Sequence, residues 1–349
     1  MFRLYSEEFY QNKSHIKKNF EDQYVQKLKT EHPDLFSEVE STVKKIKVLD
    51  CKYGINKLPD DATKLLKLSP NDMSIIYLKY RSNQNFQKDL NDLIYEYKID
   101  ANGKREKNKK KQDIIVRKKI DYDKFSGSII KFFKEQENNK LLEIKTCFYC
   151  NMAYINSFFY TKNNELKQTY DLDHFISRDV CPLFALSLYN FVPCCQICNE
   201  RIKHDKITFK NITTSQDLQI LFPSHRNYMY DKSLKFIITH KLYKNPKTFL
   251  NDNDNFVISF RHKGRKAKLY EDEEANQFDI LKRYEPHKTE FLCYMEKHRN
   301  YDKNFKKLYL KNFSKHEKNQ LIEAIFNIKL RDNQNMIFNK IYKDLDLLF

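Results

Sequence analysis

Apolar residues in the first third of the chain recur at helix spacing. Leu35, Val39, Val43 and Ile46 fall three and four apart, which gathers them on one face. Ser69-Pro70 places a capping hydroxyl and a first-turn proline ahead of Met73, Ile76 and Leu78, so a helix is expected to begin there. Residues 1–140 therefore read as a helical bundle. Farther on the period changes: Gln168 to Ile176 alternates as a strand does, and Asn199 to Phe209 reads as a short helix. Leu234 to Thr239 and Phe256 to Phe260 predict two more strands. The second turns at Lys263-Gly264 into Arg265-Lys266-Ala267-Lys268, which suggests a hairpin with a cationic tip. Beyond Glu271 the helical pattern returns in Phe278, Leu281 and Tyr284, in Phe291, Met295 and His298, and in Leu321, Ile325 and Ile328. The expected class is α+β, with mainly helical flanks at 1–140 and 213–349 around a small core at 141–212. No internal repeat or low-complexity tail is present.

A chain of 349 residues has room for a buried core and for two or three folding units. Its mean hydropathy of −0.78 and its lack of a long uncharged apolar run exclude a membrane-spanning helix of the usual length. The start, Met1-Phe2-Arg3-Leu4-Tyr5-Ser6-Glu7-Glu8, has neither an apolar segment nor a small-residue cleavage site, so a cytoplasmic location without a membrane partner is expected.

The net charge is +17, in a chain with 4 Gly, no Trp and abundant Lys, Asn, Ile, Tyr and Phe. Such composition suggests an AT-biased codon pool, which inflates Lys without selection for binding. The excess is nevertheless uneven. Residues 1–100 carry 17 Lys and Arg against 16 Asp and Glu, residues 101–140 carry 13 against 6, and residues 141–349 carry 34 against 25. An excess that begins after the first hundred residues suits a partner made of phosphates, a nucleic acid, held in a salt-dependent way. The basic segment 104–119 follows Asn102-Gly103, a turn signal, and has little to bury before Ile114-Ile115-Val116. It reads either as a solvated linker or as a flexible arm on a nucleic-acid backbone.

The chemistry is concentrated between Cys147 and Asn199. Cys147-Phe148-Tyr149-Cys150 and Cys195-Gln196-Ile197-Cys198 form two chelating turns, and four thiolates at about 2.3 Å from an ion make a closed structural zinc site. In a reducing compartment paired CxxC motifs read as metal ligands rather than as a disulfide framework. A redox dithiol would call for a thioredoxin-like β-α-β pattern, which neither pair has. Cys194 could replace Cys195, but its spacing to Cys198 is longer by one. Cys51, Cys181 and Cys293 read as small buried residues.

Between the pairs, Asp173 and His174 close the alternating strand and point to opposite faces, so one can bind a metal while the other approaches from elsewhere. After Cys198, an α-helix would put Lys203 and Lys206 on the face of Asn199 and His204 well off it. Asn199 is thus the better metal ligand, with two ammonium groups placed for phosphates. Arg178 is a further candidate phosphate contact. His225, His240, His262 and His287 lack comparable neighbours.

The order of these elements resembles the HNH endonucleases. Their pattern is a CxxC, a strand ending in Asp-His, an Asn before an apolar-Pro turn, and a second CxxC followed by Asn. Here these are Cys147 to Cys150, Asp173-His174, Asn190-Phe191-Val192-Pro193 and Cys195 to Asn199, covering about a sixth of the chain. The stretch from Cys181-Pro182-Leu183-Phe184 to Tyr189-Asn190 is similar to the segment joining the two halves in stand-alone bacterial members. One departure is visible: many members have Lys three residues after the last Asn, where this chain has Ile202, with Lys203 next. The resemblance implies a β-β-α-metal nuclease core, with His174 as general base, Asp173 and Asn199 holding one divalent cation, Mg2+ by its preference for oxygen, and Asn190 fixing the loop and the base. It implies hydrolysis of phosphodiester bonds in DNA. Stand-alone members with long helical flanks are similar to effectors of bacterial anti-phage defence such as the nuclease component of Septu, which works with an ATPase, so an ATPase partner is implied too. A ribonuclease or toxin of the same fold and a non-cutting zinc module that grips nucleic acid are the alternatives.

Overall fold

The computed structural model describes residues 4–5, 9, 14–108, 112–138, 145–160, 165–204, 209–240, 256–300, 313–314, 317–321 and 336–346. Helices at Ser14–Glu31, Pro33–Lys47, Leu49–Tyr53, Ala62–Leu66, Pro70–Ser82, Gln84–Ile94 and Tyr122–Asn138 make up most of the first region. Local chemistry sets several of their starts. Asp61, Ser69 and Asn83 each accept a backbone N–H from the first turn that follows, at 2.6, 3.1 and 3.0 Å; caps of this kind contribute about 0.5–2 kcal/mol each. The expected stripe on Pro33–Lys47 is buried at Val39, Val43 and Ile46. Among the described residues no helix is long and apolar enough to cross a membrane.

Among the described residues the strands form four two-stranded antiparallel sheets: β1 (Tyr95–Tyr97) with β2 (Ile115–Lys118), β3 (Ser157–Tyr160) with β4 (Glu165–Gln168), β5 (Asp171–His174) with β6 (Phe191–Cys194), and β7 (Leu234–His240) with β8 (Phe256–His262). The chain is therefore α+β, as its periodicities predict. The basic segment is not a bare linker. Lys98 N–H donates to Ile114, Ile114 N–H to Glu106 and Glu106 N–H to Lys98, at 2.8 to 2.9 Å, so three short pieces of chain are stitched into a folded arm. Arg105 lies 3.8 Å over the Tyr97 ring and binds Asp92 and Asp113 at 2.5 and 3.2 Å. Arg105 is thus answered by its own neighbours and Arg117 pairs with Glu38 at 2.6 Å, while Lys109, Lys110 and Lys111 lie outside the described residues.

The cationic-tip reading of the later hairpin also changes. β7 and β8 pair with each other from Leu234↔His262 to His240↔Phe256, and Lys263 N–H donates to Ser233 at the open end. The run 265–268 therefore leaves from the end opposite the connection. There Lys266 pairs with Asp217, and Lys268 with Glu271 and Asp272.

One contiguous cluster of buried residues passes through all three regions of the chain. Polar bonds follow the same route. Tyr24 donates to the Leu186 carbonyl at 2.8 Å, Ser187 to that of Leu65 at 2.9 Å, and Arg81 to those of Phe209 and Ile212. Near the end of the chain, Phe338 N–H donates to Asn151 at 2.7 Å and Lys340 N–H to the Asn151 side chain at 3.1 Å. Asn151 itself has φ +54°, a left-handed conformation that Asn tolerates better than most residues. The Lys340 ammonium is fully buried between Asp344 and the carbonyls of Asp231 and Leu234, which pins the helix Asn339–Asp346 to β7.

Glu274 is buried, accepting the Tyr228 hydroxyl at 2.6 Å. Burial pushes its carboxyl pKa up to about 8 from an ordinary 4.5. The folded state then holds a proton that the unfolded chain releases, so this group's contribution is intact below about pH 4.5 and is lost as pH rises toward 8. The melting-temperature advantage of Glu274→Gln over wild type should grow across that window and level off above it. Thermal unfolding at stepped pH checks this, and a difference flat in pH would mean that the carboxyl is not held in its neutral form.

Candidate functional site

The first cysteine pair sits in a tight turn closed by Asn151 N–H on Cys147 O at 2.9 Å, where the left-handed Asn151 reverses the chain. The second pair follows β6 and enters the turn Ile197–Lys203. The four ligand sulfurs of Cys147, Cys150, Cys195 and Cys198 lie within 4.8 Å of one another, and all four residues are buried. A tetrahedral ion with bonds of about 2.3 Å sets its sulfurs about 3.8 Å apart; Cys150 and Cys195 are 4.0 Å apart. The four could therefore hold a metal ion. Cys195 N–H donates to Cys147 Sγ at 3.3 Å, Met152 N–H to Cys150 Sγ at 3.4 Å and Arg283 to Cys198 Sγ at 3.3 Å, contacts that favour negative sulfur. Burial raises the Cys147 thiol, whereas S–H donation, from Cys147 above all, holds Cys195 far below the usual thiol range. Among the described residues no other group of three or more Cys, His, Asp or Glu ligand atoms is gathered so closely.

Cys194 takes no part in the cluster. It is buried in β6 opposite Asp171. All eight cysteines are free; Cys181 is buried as expected, but Cys51 and Cys293 are exposed, which corrects their reading as buried residues. Cys51 sits in the five-residue helix Leu49–Tyr53, which buries only Leu49 and Asp50.

Beside the cluster lies a cleft of about 320 Å³ lined by Asp171, Asp173, His174, Arg178, Asn199, Lys203 and His204, among others. β5 ends at His174, so consecutive residues can both reach the cleft although they leave the strand in opposite directions. Asp173 Oδ2 accepts the Tyr149 hydroxyl at 2.5 Å and the Lys203 ammonium. Lys203 is buried and also donates to the carbonyls of His174 at 2.5 Å and Phe175 at 3.3 Å. Its three protons are thus taken, and it serves as a counter-ion within the protein rather than a cation offered to phosphates. Asn199 Nδ2 donates to Asp171 at 3.2 Å, which leaves the amide carbonyl free to accept.

His174 is buried with Nε2 2.9 Å from the carbonyl of Ala185. A carbonyl only accepts, so Nε2 carries the hydrogen and the lone pair of the neutral ring is on Nδ1. The edge of Tyr122 packs on the imidazole at 4.7 Å and Phe191 at 5.0 Å. Burial lowers its pKa to about 3; the bond to Ala185 works against this, and the charges of Arg178 and Lys203 add to it. Asn190 lies behind the cleft. Its amide accepts from Ile176 N–H at 2.8 Å and donates to the carbonyls of Ile176 at 2.9 Å and Phe184 at 3.2 Å, beside the very residue that receives His174. Arg178 stands at the rim, bonded to Asp123 at 2.7 Å and 4.9 Å over the Tyr122 ring.

Asp173, His174, Asn199, Arg178 and Lys203 are therefore brought to one cleft, Asn190 supports it, and Lys206 lies outside the described residues. Sequence reasoning missed Asp171, although period two places it on the face of Asp173. α-Helical geometry predicts His204 well off the face of Asn199. The turn is instead π-helical, with His204 N–H on Asn199 O at 2.9 Å, and this wider winding brings His204 back to the cleft. Nothing in the sequence marks Ala185, whose contribution is a carbonyl. No protein-family model, curated protein or solved structure matches the chain.

Replacing Asn190 by Ala strands three buried backbone groups, at a cost on the order of 2 kcal/mol or more. Denaturant unfolding should show that loss; a change below about 0.5 kcal/mol would mean that water or backbone movement replaces the amide.

Proposed function

We propose that the chain is a metal-dependent endonuclease that hydrolyses phosphodiester bonds, with DNA as substrate. One observation carries this reading: a neutral imidazole, held through its Nε2 hydrogen on the Ala185 carbonyl, lines one cleft together with Asp173 and Asn199. The donors available for a cation are carboxylate and amide oxygens, a set suited to Mg2+. Such an ion would supply charge neutralisation at the scissile phosphate and its leaving oxygen. His174 would take a proton from the attacking water. Burial keeps the ring neutral, the form that can accept that proton. Arg178, partly exposed at the rim, would meet a neighbouring phosphate by exchanging its bond to Asp123. The order of motifs that resembles the HNH endonucleases supports the same assignment.

Supercoiled plasmid and total RNA, each incubated with Mg2+, with EDTA and with His174→Ala protein, test the proposal. Plasmid should be cut with Mg2+ and spared with EDTA, and the variant should be slower by about 10²–10⁴-fold. Inactivity of the wild type on every substrate with every divalent ion would sink the reading in favour of a module that grips without cutting. RNA loss with intact plasmid would move the substrate to RNA.

The four-cysteine cluster is proposed to hold a structural Zn2+. Metal analysis of purified protein should find about one zinc per chain, because a closed four-thiolate site contributes to folding itself. Folded protein without zinc would remove the ion from this account.

A further inference from the structure

Tyr149 stands between the two cysteines of the first pair, yet its hydroxyl turns away from the sulfur cluster to Asp173 Oδ2, 2.5 Å away. Two anchors fix the side chain. Its backbone lies in the turn that Asn151 N–H closes on Cys147 O at 2.9 Å, and its ring is buried against Phe278, with centroids 4.1 Å apart and planes 17° from parallel. The Lys203 ammonium binds the same carboxylate oxygen and lies 5.9 Å over the Tyr149 ring. Both of these contacts fall on Oδ2 of a carboxylate that lines the cleft.

We infer that Tyr149 is a positioning residue that couples the four-cysteine centre to a divalent-cation site in the cleft. The cysteine turn fixes Tyr149, and Tyr149 together with Lys203 fixes the rotamer of Asp173, so that Oδ1 is presented to the cation beside Asn199. A partner that orients a ligand in this way typically changes metal affinity 10- to 100-fold when removed. The inference rests on the reading above for the cation's chemistry but concerns only its binding.

Mn2+ binding to the full chain is therefore measured directly by calorimetry, for wild type, Tyr149→Phe and Asp173→Ala, with zinc content and melting temperature determined on the same samples. Asp173→Ala should abolish the site. Tyr149→Phe should keep its zinc and its melting temperature while its Mn2+ Kd rises about 10-fold. An unchanged Kd in folded, zinc-replete Tyr149→Phe overturns the coupling, as does a wild type that binds no Mn2+ at an Asp173-dependent site. Should Tyr149→Phe fail to fold, Phe278→Leu, which loosens only the ring stack, decides instead: a weaker Mn2+ Kd supports the coupling and a wild-type Kd overturns it. A Kd shift in Tyr149→Phe alongside a wild type that binds Mn2+ but cuts no nucleic acid leaves the coupling standing and removes the nuclease reading.

Discussion

The arrangement of the cleft depends on one buried charge pair, Lys203 with Asp173, whose side chains are 4% and 9% exposed. Neither charge can be left alone there, because stripping one partner from a buried pair costs about 3–5 kcal/mol. Lys203 reaches its partner from the turn after the second cysteine pair, while Asp173 sits on the last residues of β5. The pair therefore ties the second cysteine turn to the strand. The remaining ammonium protons go to the carbonyls of His174 and Phe175, so the end of the strand has a fixed position as well as a fixed charge.

Around that pair the walls are aromatic and come from the flanks. Tyr122, from the helix Tyr122–Asn138, covers His174, and Phe278 covers Tyr149. These rings keep water from two polar side chains that must hold one orientation each. The same exclusion weakens the proton affinity of His174 and makes its bond to Ala185 the determinant of which nitrogen carries the hydrogen.

What could be read along the chain was whatever is decided within a few residues. The Ser69 cap, the stripe from Val39 to Ile46 and the x2 spacing of each cysteine pair are of this kind, as is the alternation that ends at Asp173-His174. Contacts between distant residues were not legible. Arg117 meets Glu38, and Arg105 meets Asp92 and the Tyr97 ring, which folds a segment too polar to announce a fold of its own. Lys203 lies on the expected face of its turn, but only the carboxylate and carbonyls across from it turn it inward. The π winding adds one residue to a turn without changing composition, and so returns His204 to a face that α-helical arithmetic denies it.

Asn151 gives the cysteine core a different kind of dependence. Its left-handed backbone closes the first cysteine turn, its carbonyl oxygen receives Phe338 N–H, and its side chain binds Met336 and Lys340. A residue that shapes the metal-binding turn is thus also the seat of the chain's last described helix. Toward the other flank, Leu186 and Ser187 are bonded to Tyr24 and Leu65. The 53-residue stretch that carries the chemistry is accordingly not a portable cassette. Grafted into another scaffold, or trimmed of either flank, it would leave these backbone and side-chain groups facing water or nothing, so gene fusions and truncations of this protein should be designed around the whole chain.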